Sequence, residues 1–373
     1  MTTTIVDAAA PAFSVHLNGA DEPLQGWVVV DSLVDGLAMG GVRMTTTVDY
    51  EEVCGLARDM TDKFTLAGLR IGGAKGGIVS DGTDRQTTFR TFGRTVKPLL
   101  HGGIHLGIDL GVTPADRAVF FESAGYDPRY RLGAPDIPID WRTYYEPLID
   151  VTGYGVAIGA LTALEAKGHK GPARVVIQGF GAVGRSVAQF LESKGHIVTG
   201  VADILGTVSA NELSTAELIA ATDAHGRIDR SQLSIETTQS TDLDAWLDVE
   251  ADLLVLAAQK HALTAENVTR LRAGIVVEGA NLASTTEGRE AAAREGVLLV
   301  PGVIANIGGA GAAALAVTRV VPFDLPADAR KQWVFDWVAE RVRRNTRDLF
   351  DLSAVSPSTA LDDLLTHRRK ERQ

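Results

Sequence analysis

Residues 173–203 read ARVVIQGFGAVGRSVAQFLESKGHIVTGVAD, and the fold turns on them. ARVVIQ (173–178) is short and β-branched, the pattern of a buried strand. GFGAVG follows, with Gly179, Gly181 and Gly184 in G-x-G-x-x-G spacing around Phe180, Ala182 and Val183. RSVAQFLESK then places Val187, Phe190 and Leu191 at helical spacing, and Gly195 is positioned to end that helix. HIVTGVAD (196–203) is a second strand that closes on Asp203. In this pattern the first glycine makes a turn, the second lets the backbone approach a pyrophosphate, and the third lets helix and strand pack closely. The helix N-terminus then faces the anion. Asp203 would accept hydrogen bonds from the adenosine ribose hydroxyls. Ile204, Leu205 and Gly206 bring no arginine for a 2′-phosphate, so NAD is expected over NADP. A glycine turn that serves packing alone is the plainer alternative.

Further strand-like runs follow at ADLLVLA (251–257, ending in Ala257), GIVVEGAN (274–281) and GVLLVPG (296–302), with helical segments between them. That alternation predicts a parallel, doubly wound α/β sheet of the Rossmann type. Asn281 stands where its strand ends, the side on which such sheets bind ligands. A structural loop asparagine is the plain reading of the same position.

The first half poses a question at RIGGAKGGIV (70–79), where Lys75 stands between Gly72–Gly73 and Gly76–Gly77. Glycine costs backbone entropy on folding, so the cluster implies a tight turn or a close approach to the backbone. No G-x-x-x-x-G-K-[ST] match exists, which argues against a phosphate loop. WVVVDSLV (27–34) reads as a strand leading into AMGGVRM (38–44). In the segment that follows, Asp49 can cap a helix, with Glu52 closing a capping box. Val53, Leu56, Ala57, Met60 and Phe64 form its buried stripe, with Lys63 at the edge, where a lysine ordinarily snorkels. If Lys63 and Lys75 lie near one another, repulsion and burial should lower one pKa. Such a lysine can act as a base while the other holds an anion. Asp109, in HLGIDLGV (105–112), is a carboxylate in apolar surroundings or a simple turn residue.

At 373 residues the chain implies about two domains. A net charge of −11 disfavours nucleic acid or an anionic membrane as partner. The basic end HRRKERQ (367–373) reads as a solvated, frayed terminus. Cys54, the single cysteine, excludes an internal disulfide, fits a reducing cytoplasm, and reads as a buried inert thiol. MTTTIVDAAAPAF at the start lacks the pattern of a signal peptide. The apolar stretch 304–317 is too short and too rich in Gly and Ala for a membrane span, so a cytoplasmic protein is expected.

GGVRM, MTDK, GGAKGGI, IDLGV, VTGYGV, QGFGAVG, EGAN and ANIGG occur in the order found in the glutamate/leucine/phenylalanine/valine dehydrogenases. The chain resembles that family from about residue 27 to residue 315. GGAKGGI and EGAN look more like the glutamate branch, and the short N-terminal segment more like the leucine and phenylalanine branch. The resemblance implies an α/β fold with a substrate and oligomerisation domain at 1–148 and a Rossmann domain at 149–317, with a cleft between them. The C-terminal helices, 318–373, would pack back on the first domain through a face that includes Trp333, Val334, Trp337, Val338 and Val342.

The resemblance also implies roles. Lys63 would bind a substrate α-carboxylate, Lys75 would activate water, and Asp109 would shuttle a proton. Asn306 would position the amino group, and Thr152 would sit at the nicotinamide. The glycines around Lys75 would let substrate and nicotinamide close in. Glutamate-specific members carry a lysine where Met39 stands before Gly40, and a serine where Ala313 stands. Both anion ligands are apolar here, and together with Ala310 they imply a roomy apolar pocket. IDWRTYYEPLID (139–150) replaces a Gly/Ser-rich segment usual in the family, and Gly302 stands where aspartate is common. The first change is either a repacked loop or a lid using Arg142 or Glu146.

The activity implied is NAD-dependent oxidative deamination of an L-amino acid, apolar or bulky and not glutamate, to the 2-oxo acid and ammonia, with the reverse amination. A homo-oligomer without a metal is implied as well. An imine-reducing enzyme of a specialised pathway and a catalytically silent NAD sensor stay open beside it.

Overall fold

The computed structural model describes residues 10–18, 24–355 and 359–372. The start of the N-terminal stretch read for a leader, 1–9, and Gln373 of the basic end lie outside the described residues. In chain order the elements are β1 (Phe13–Asn18), β2 (Gln25–Val30), β3 (Ala38–Thr45), α1 (Tyr50–Leu66), β4 (Gly72–Val79), α2 (Arg85–His101), β5 (Ile104–Ile108), α3 (Pro114–Ala124) and α4 (Trp141–Tyr145). There follow α5 (Val151–Ala166), β6 (Arg174–Gln178), α6 (Ala182–Glu192), β7 (Ile197–Asp203), β8 (Gly206–Ser209), α7 (Thr215–Ala220), β9 (Thr238–Ser240) and β10 (Ala251–Leu256). The chain ends with β11 (Ala273–Glu278), α8 (Thr286–Arg294), β12 (Leu298–Val300), α9 (Gly302–Ala305), α10 (Ile307–Val317), α11 (Ala327–Ser353) and α12 (Ala360–Arg372). Two compact units form, one from described residues within 1–145, 310–326 and 368–373, the other from 146–309 and 327–367.

The first unit is a five-stranded sheet in the order β1-β2-β4-β3-β5. The pairs β1–β2 and β2–β4 are antiparallel, while β3 is parallel to both β4 and β5. Side chains alternate across a sheet. Ala38, Val42, Ala74, Ile78, Ile104 and Leu106 therefore share one face, and all belong to the core of this unit. The opposite face carries Met39, Arg43, Lys75 and His105.

RIGGAKGGIV is thus no turn: its Gly72–Val79 part is strand β4. Its glycines let protein approach closely. A Cβ on Gly73 would stand 2.3 Å from the Thr61 backbone N, and one on Gly77 would stand 2.5 Å from Val53 Cγ2. Helix α1 lies directly on the strand at both places. Asp49 caps α1 as expected, accepting from Glu52 N at 2.8 Å. The Glu52 carboxylate bonds Arg43 instead of closing the box. Cys54 is half-buried, packed beside Val29 and Val53, not fully enclosed.

The second unit holds a seven-stranded sheet, β12-β11-β10-β6-β7-β8-β9. It is parallel from β12 to β7 and antiparallel at the β8–β9 edge. Its central strands β6, β10 and β11 are buried on both faces, which is why they read as continuous apolar runs. The expectation that the C-terminal helices pack on the first domain is corrected. Val338 and Val342 of α11 lie against Gly155 of α5, inside the second unit. Only the last residues join the first, where Arg372 donates to Ile71 O at 2.8 Å and Arg369 to Asp62 at 3.3 Å. The basic end is therefore a docked helix terminus, not a frayed one, and Arg368 is buried. A different stretch, Trp141–Ala166, contains an 18-residue window apolar enough for a membrane span. Yet 67% of that window is buried inside the protein, as in a core helix.

Candidate functional site

The outer face of the first sheet gathers a chain of charges. Lys75 Nζ lies 3.0 Å from Asp109 Oδ2. Arg43 Nε donates to the same oxygen at 3.0 Å, and Arg43 Nη1 donates to Glu52 Oε1 at 2.7 Å. The side chains of Lys75, Arg43 and Glu52 are 3%, 9% and 9% exposed, so these pairs sit largely out of water. Burial alone would push the Asp109 carboxyl up. The charges and hydrogen bonds of Lys75 and Arg43 outweigh it and hold the pKa down to about 2. Asp109 is therefore a carboxylate with two cationic partners at the head of a turn, where Val112 N donates to its backbone O at 3.0 Å.

Lys63 is buried, 4% exposed, and does not snorkel. Burial brings its pKa down to about 8; Lys75 and Arg43 add to this, while Asp59 and Asp109 oppose it. The expected lowering of one lysine thus falls on Lys63. Arg43 and Glu52 were missed as site residues, though both stand in quoted motifs. Alternation was the signal: Arg43 is on the Lys75 side of β3, but glycines at neighbouring positions leave no apolar/polar rhythm to read.

Met39 pairs with His105 across β3 and β5, and both side chains share the Lys75 face. Met39 is 3% exposed, which makes this end of the face apolar. His105 is equally buried; burial first, then the charges of Arg117 and Arg319, pushes its pKa down to about 3, so it is neutral near pH 7. Its ring packs 5.6 Å from that of Trp141, and Nδ1 lies 3.1 Å from the Tyr126 hydroxyl. The 139–150 segment is therefore no plain loop. Trp141–Tyr145 forms α4, whose aromatic rings turn inward, and the Tyr144 hydroxyl donates to Ala312 O at 2.7 Å. Arg142 and Glu146 are exposed. Ala310 and Ala313 stand half-buried on α10. Gly40 lies on the core face, where a Cβ would stand 1.6 Å from Ala74 O, so the close packing there needs glycine.

In the second unit the fingerprint glycines divide their work. Gly179 has φ +97°, a left-handed conformation that favours glycine, and a Cβ there would stand 2.6 Å from the Ala258 Cβ. A Cβ on Gly184 would reach 2.0 Å from Gly179 O, so the helix can pack only on glycine. Gly181 opens α6 without a side-chain cap, and nothing lies within 4 Å of where its Cβ would be. An uncapped helix N-terminus behind bare backbone fits a pyrophosphate. Phe180 is 1% exposed, so only its backbone can serve there. Ala182 and Val183 form the first turn of α6.

Around this cradle, a Cβ on Gly279 would touch both Val183 and Ala257. Asn306 Nδ2 donates to Gly279 O at 3.1 Å and to Asn281 Oδ1 at 3.2 Å. Asn306 Oδ1 is buried and accepts no hydrogen bond among the described residues. A buried acceptor left so is costly unless a ligand donates to it. Thr152, expected in a turn, stands in the first turn of α5, where its Oγ1 accepts from Gly309 N at 2.9 Å. Asp203 is placed at the end of β7 as expected, but its role is corrected. Arg230 forks onto both of its oxygens at 2.6 and 2.7 Å, and the side chain is 2% exposed. That carboxylate has nothing left for ribose hydroxyls, and an arginine is present after all, 27 residues on.

Comparison with known proteins matches residues 148–352 to the glutamate/leucine/phenylalanine/valine dehydrogenase family model, and residues 12–122 to the Glu/Leu/Phe/Val dehydrogenase dimerisation domain. The chain is 31% identical over 342 residues to an NADP(+)-dependent glutamate dehydrogenase of Pyrobaculum calidifontis, covering 88% of this chain and 77% of that protein. It is 30% identical over 292 residues to an NAD-specific glutamate dehydrogenase of Staphylococcus aureus, covering 74% and 67%. Among solved structures it is similar to a hetero-hexameric glutamate dehydrogenase from Thermus thermophilus in a leucine-bound form. That match has a TM-score of 0.79 and 27% identity, and covers 97% of this chain and 89% of that one. An L-tryptophan dehydrogenase from Nostoc punctiforme, at 18% identity and TM-score 0.67 with 97% of each chain covered, shares the fold.

Proposed function

The chain belongs to the glutamate/leucine/phenylalanine/valine dehydrogenase family of amino acid dehydrogenases, and on that premise we propose that it oxidatively deaminates an apolar or bulky L-amino acid other than glutamate, with the reverse amination, as a homo-oligomer. The observation that carries the reading is the joint placement, on one sheet face, of the Lys75–Asp109–Arg43 cluster and the apolar Met39. A glutamate side-chain carboxylate at Met39 would be buried without a partner, at a cost of several kcal/mol. Ala313 offers no hydroxyl to offset it.

A nicotinamide dinucleotide, NAD in the first instance, supplies the hydride acceptor when bound, and the bare backbone at Gly181 would hold its pyrophosphate. The chain's own residues do the rest. Lys63, as an ammonium, holds the substrate α-carboxylate. Lys75 activates the water that attacks the substrate-derived iminium carbon, and Asp109, 3.0 Å from Nζ, exchanges protons with Lys75 and the departing amine. Arg43, braced by Glu52, fixes the Asp109 carboxylate against its two partners. Asn306 Oδ1 gives the amino group an acceptor.

The Lys63 role has a pH signature. Its pKa of about 8 means that the charged form is lost as pH rises through 8. Inhibition by an amino-free carboxylic acid, which has no amine of its own to titrate, should be flat below pH 8. Its Ki should then rise about tenfold per unit above that. Lys63→Arg, whose guanidinium stays charged, should abolish the limb. A Ki that stays flat from pH 7 to 10 in the parent protein would remove Lys63 from the carboxylate.

A further inference from the structure

Helix α4 brings the unusual 139–150 segment into the first unit as a five-residue helix, Trp141–Tyr145. The Trp141 ring lies 5.6 Å from the His105 ring, and His105 pairs with Met39 across β5 and β3. The Tyr144 hydroxyl donates to Ala312 O on α10 at 2.7 Å, and Ala310 and Ala313 flank that carbonyl in the chain. Tyr144 and Ala312 are both buried. The Tyr144 ring is itself held, with Tyr145, Phe323 and Trp141 at 5.2, 5.7 and 5.9 Å. All of these residues belong to the first unit. One short helix thus connects the Met39 face to the helix that carries the two alanines.

The composition of α10 explains why it needs a hold from outside. IGGAGAAALAV has Gly or Ala at eight of its eleven positions. A buried helix is ordinarily fixed by large side chains that interdigitate with its neighbours. This one offers few, so its placement falls to hydrogen bonds on its carbonyls. Arginines take the C-terminal end, where the last carbonyls of a helix lack intrahelical donors and a cation suits the dipole. Arg319 donates to Ala316 O and Val317 O, each at 3.1 Å, and Arg131 to Val317 O at 2.9 Å. Arg319 also donates to Pro135 O at 2.7 Å and Arg129 O at 3.0 Å, which ties that end to the loop before α4. Tyr144 acts further along, at Ala312. A buried phenol must find an acceptor, so the placements of α4 and α10 fix each other.

We propose that Tyr144 is a positioning residue for substrate choice. Through Ala312 it sets where α10 stands, and so which size of apolar side chain the pocket accepts. It need not touch the substrate to do so. Trp141, packed on His105, braces the same helix from its other end. The inference rests on the reading of Met39, Ala310 and Ala313 as the side-chain pocket, and it gives the 139–150 segment a part in that pocket which calls on neither Arg142 nor Glu146.

The test is steady-state kinetics of Tyr144→Phe, which keeps the ring and removes only the hydroxyl. Two substrates are compared: the best of a panel of apolar L-amino acids, and the one that differs most from it in size. Side-chain contacts serve ground and transition state alike, so their loss falls on KM. The KM of the best substrate should rise at least about fivefold, with its kcat and the KM of the other within about twofold. The kcat/KM ratio of the two then moves at least about fivefold toward one. A hydroxyl that matters only for folding would lower both substrates together, and an unchanged ratio overturns the proposal. Should Tyr144→Phe fail to fold, Trp141→Phe slackens the same brace and is read for the same shift; an unchanged ratio there overturns the proposal as well. A parent protein that takes all apolar amino acids alike also overturns it. A parent protein that turns over no amino acid sinks the pocket reading itself, and this inference with it.

Discussion

Lys75→Ala is expected to lower kcat by at least about 10³-fold while leaving NADH binding within a factor of two. The size follows from two losses at once. A positioned proton-transfer group contributes about 10²–10⁴, and a charge fixed in a dry site contributes about 10²–10³ more by stabilising charge that develops. Such terms overlap, so the combined loss is set below their lower product of about 10⁴. Lys75 is 3% exposed and 3.0 Å from Asp109, so its charge acts in a nearly dry setting that a neutral water would not reproduce. Lys75→Arg separates the two terms: it keeps the charge beside Asp109 but cannot release a proton near neutral pH. Its turnover should exceed that of Lys75→Ala by what the charge contributes, yet stay well below that of the parent enzyme. Turnover of Lys75→Ala within tenfold of the parent enzyme would contradict the assignment. Unchanged NADH binding would show that the second unit is intact, because the glycine cradle, Asn281 and Asn306 all belong to it.

The largest expected effect on stability lies in the EGAN motif. Glu278 is 0% exposed and accepts from Arg289 Nε at 2.9 Å, Arg289 Nη2 at 2.8 Å and Gly302 N at 2.9 Å. Arg289→Ala removes two of those donors and the counter-charge, leaving a carboxylate enclosed in the second unit. Breaking a buried pair from one side costs about 3–5 kcal/mol, which corresponds to a Tm lower by roughly 6–20 °C for a unit of this size. Replacing both partners should restore much of the loss, because the cost comes from the stranded charge and not from the missing contact. A thermal melt of Arg289→Ala with Tm within 2 °C of the parent protein would show that Glu278 finds other compensation. Gly302 has a local part in this: its backbone N–H is a donor to this carboxylate.

The second sheet was legible because its strands are β-branched and doubly buried, and because turn, helix and acid follow the first of them at fixed spacing. The first sheet was not. In β3 and β4 glycine occupies so many positions that the two-residue rhythm of a strand disappears, and GGAKGGIV reads as a loop until helix α1 is seen lying on it. For the same reason Lys75 and Asp109 stood out, while Arg43, which shares their face, passed as part of a motif. The amphipathic stripe of α11 showed that it packs, but no stripe says against what. Asp203 illustrates the deeper limit. Its position was read correctly and its chemistry was not, because its partner is 27 residues away in a loop whose path no local pattern fixes.

The central claim, that the Lys75–Asp109 cluster deaminates an amino acid with an apolar or bulky side chain, is tested most directly by NADH and NADPH formation at alkaline pH with a panel of L-amino acids. The account predicts turnover of aromatic or large aliphatic substrates and none of glutamate above background. Glutamate as the preferred substrate would contradict it.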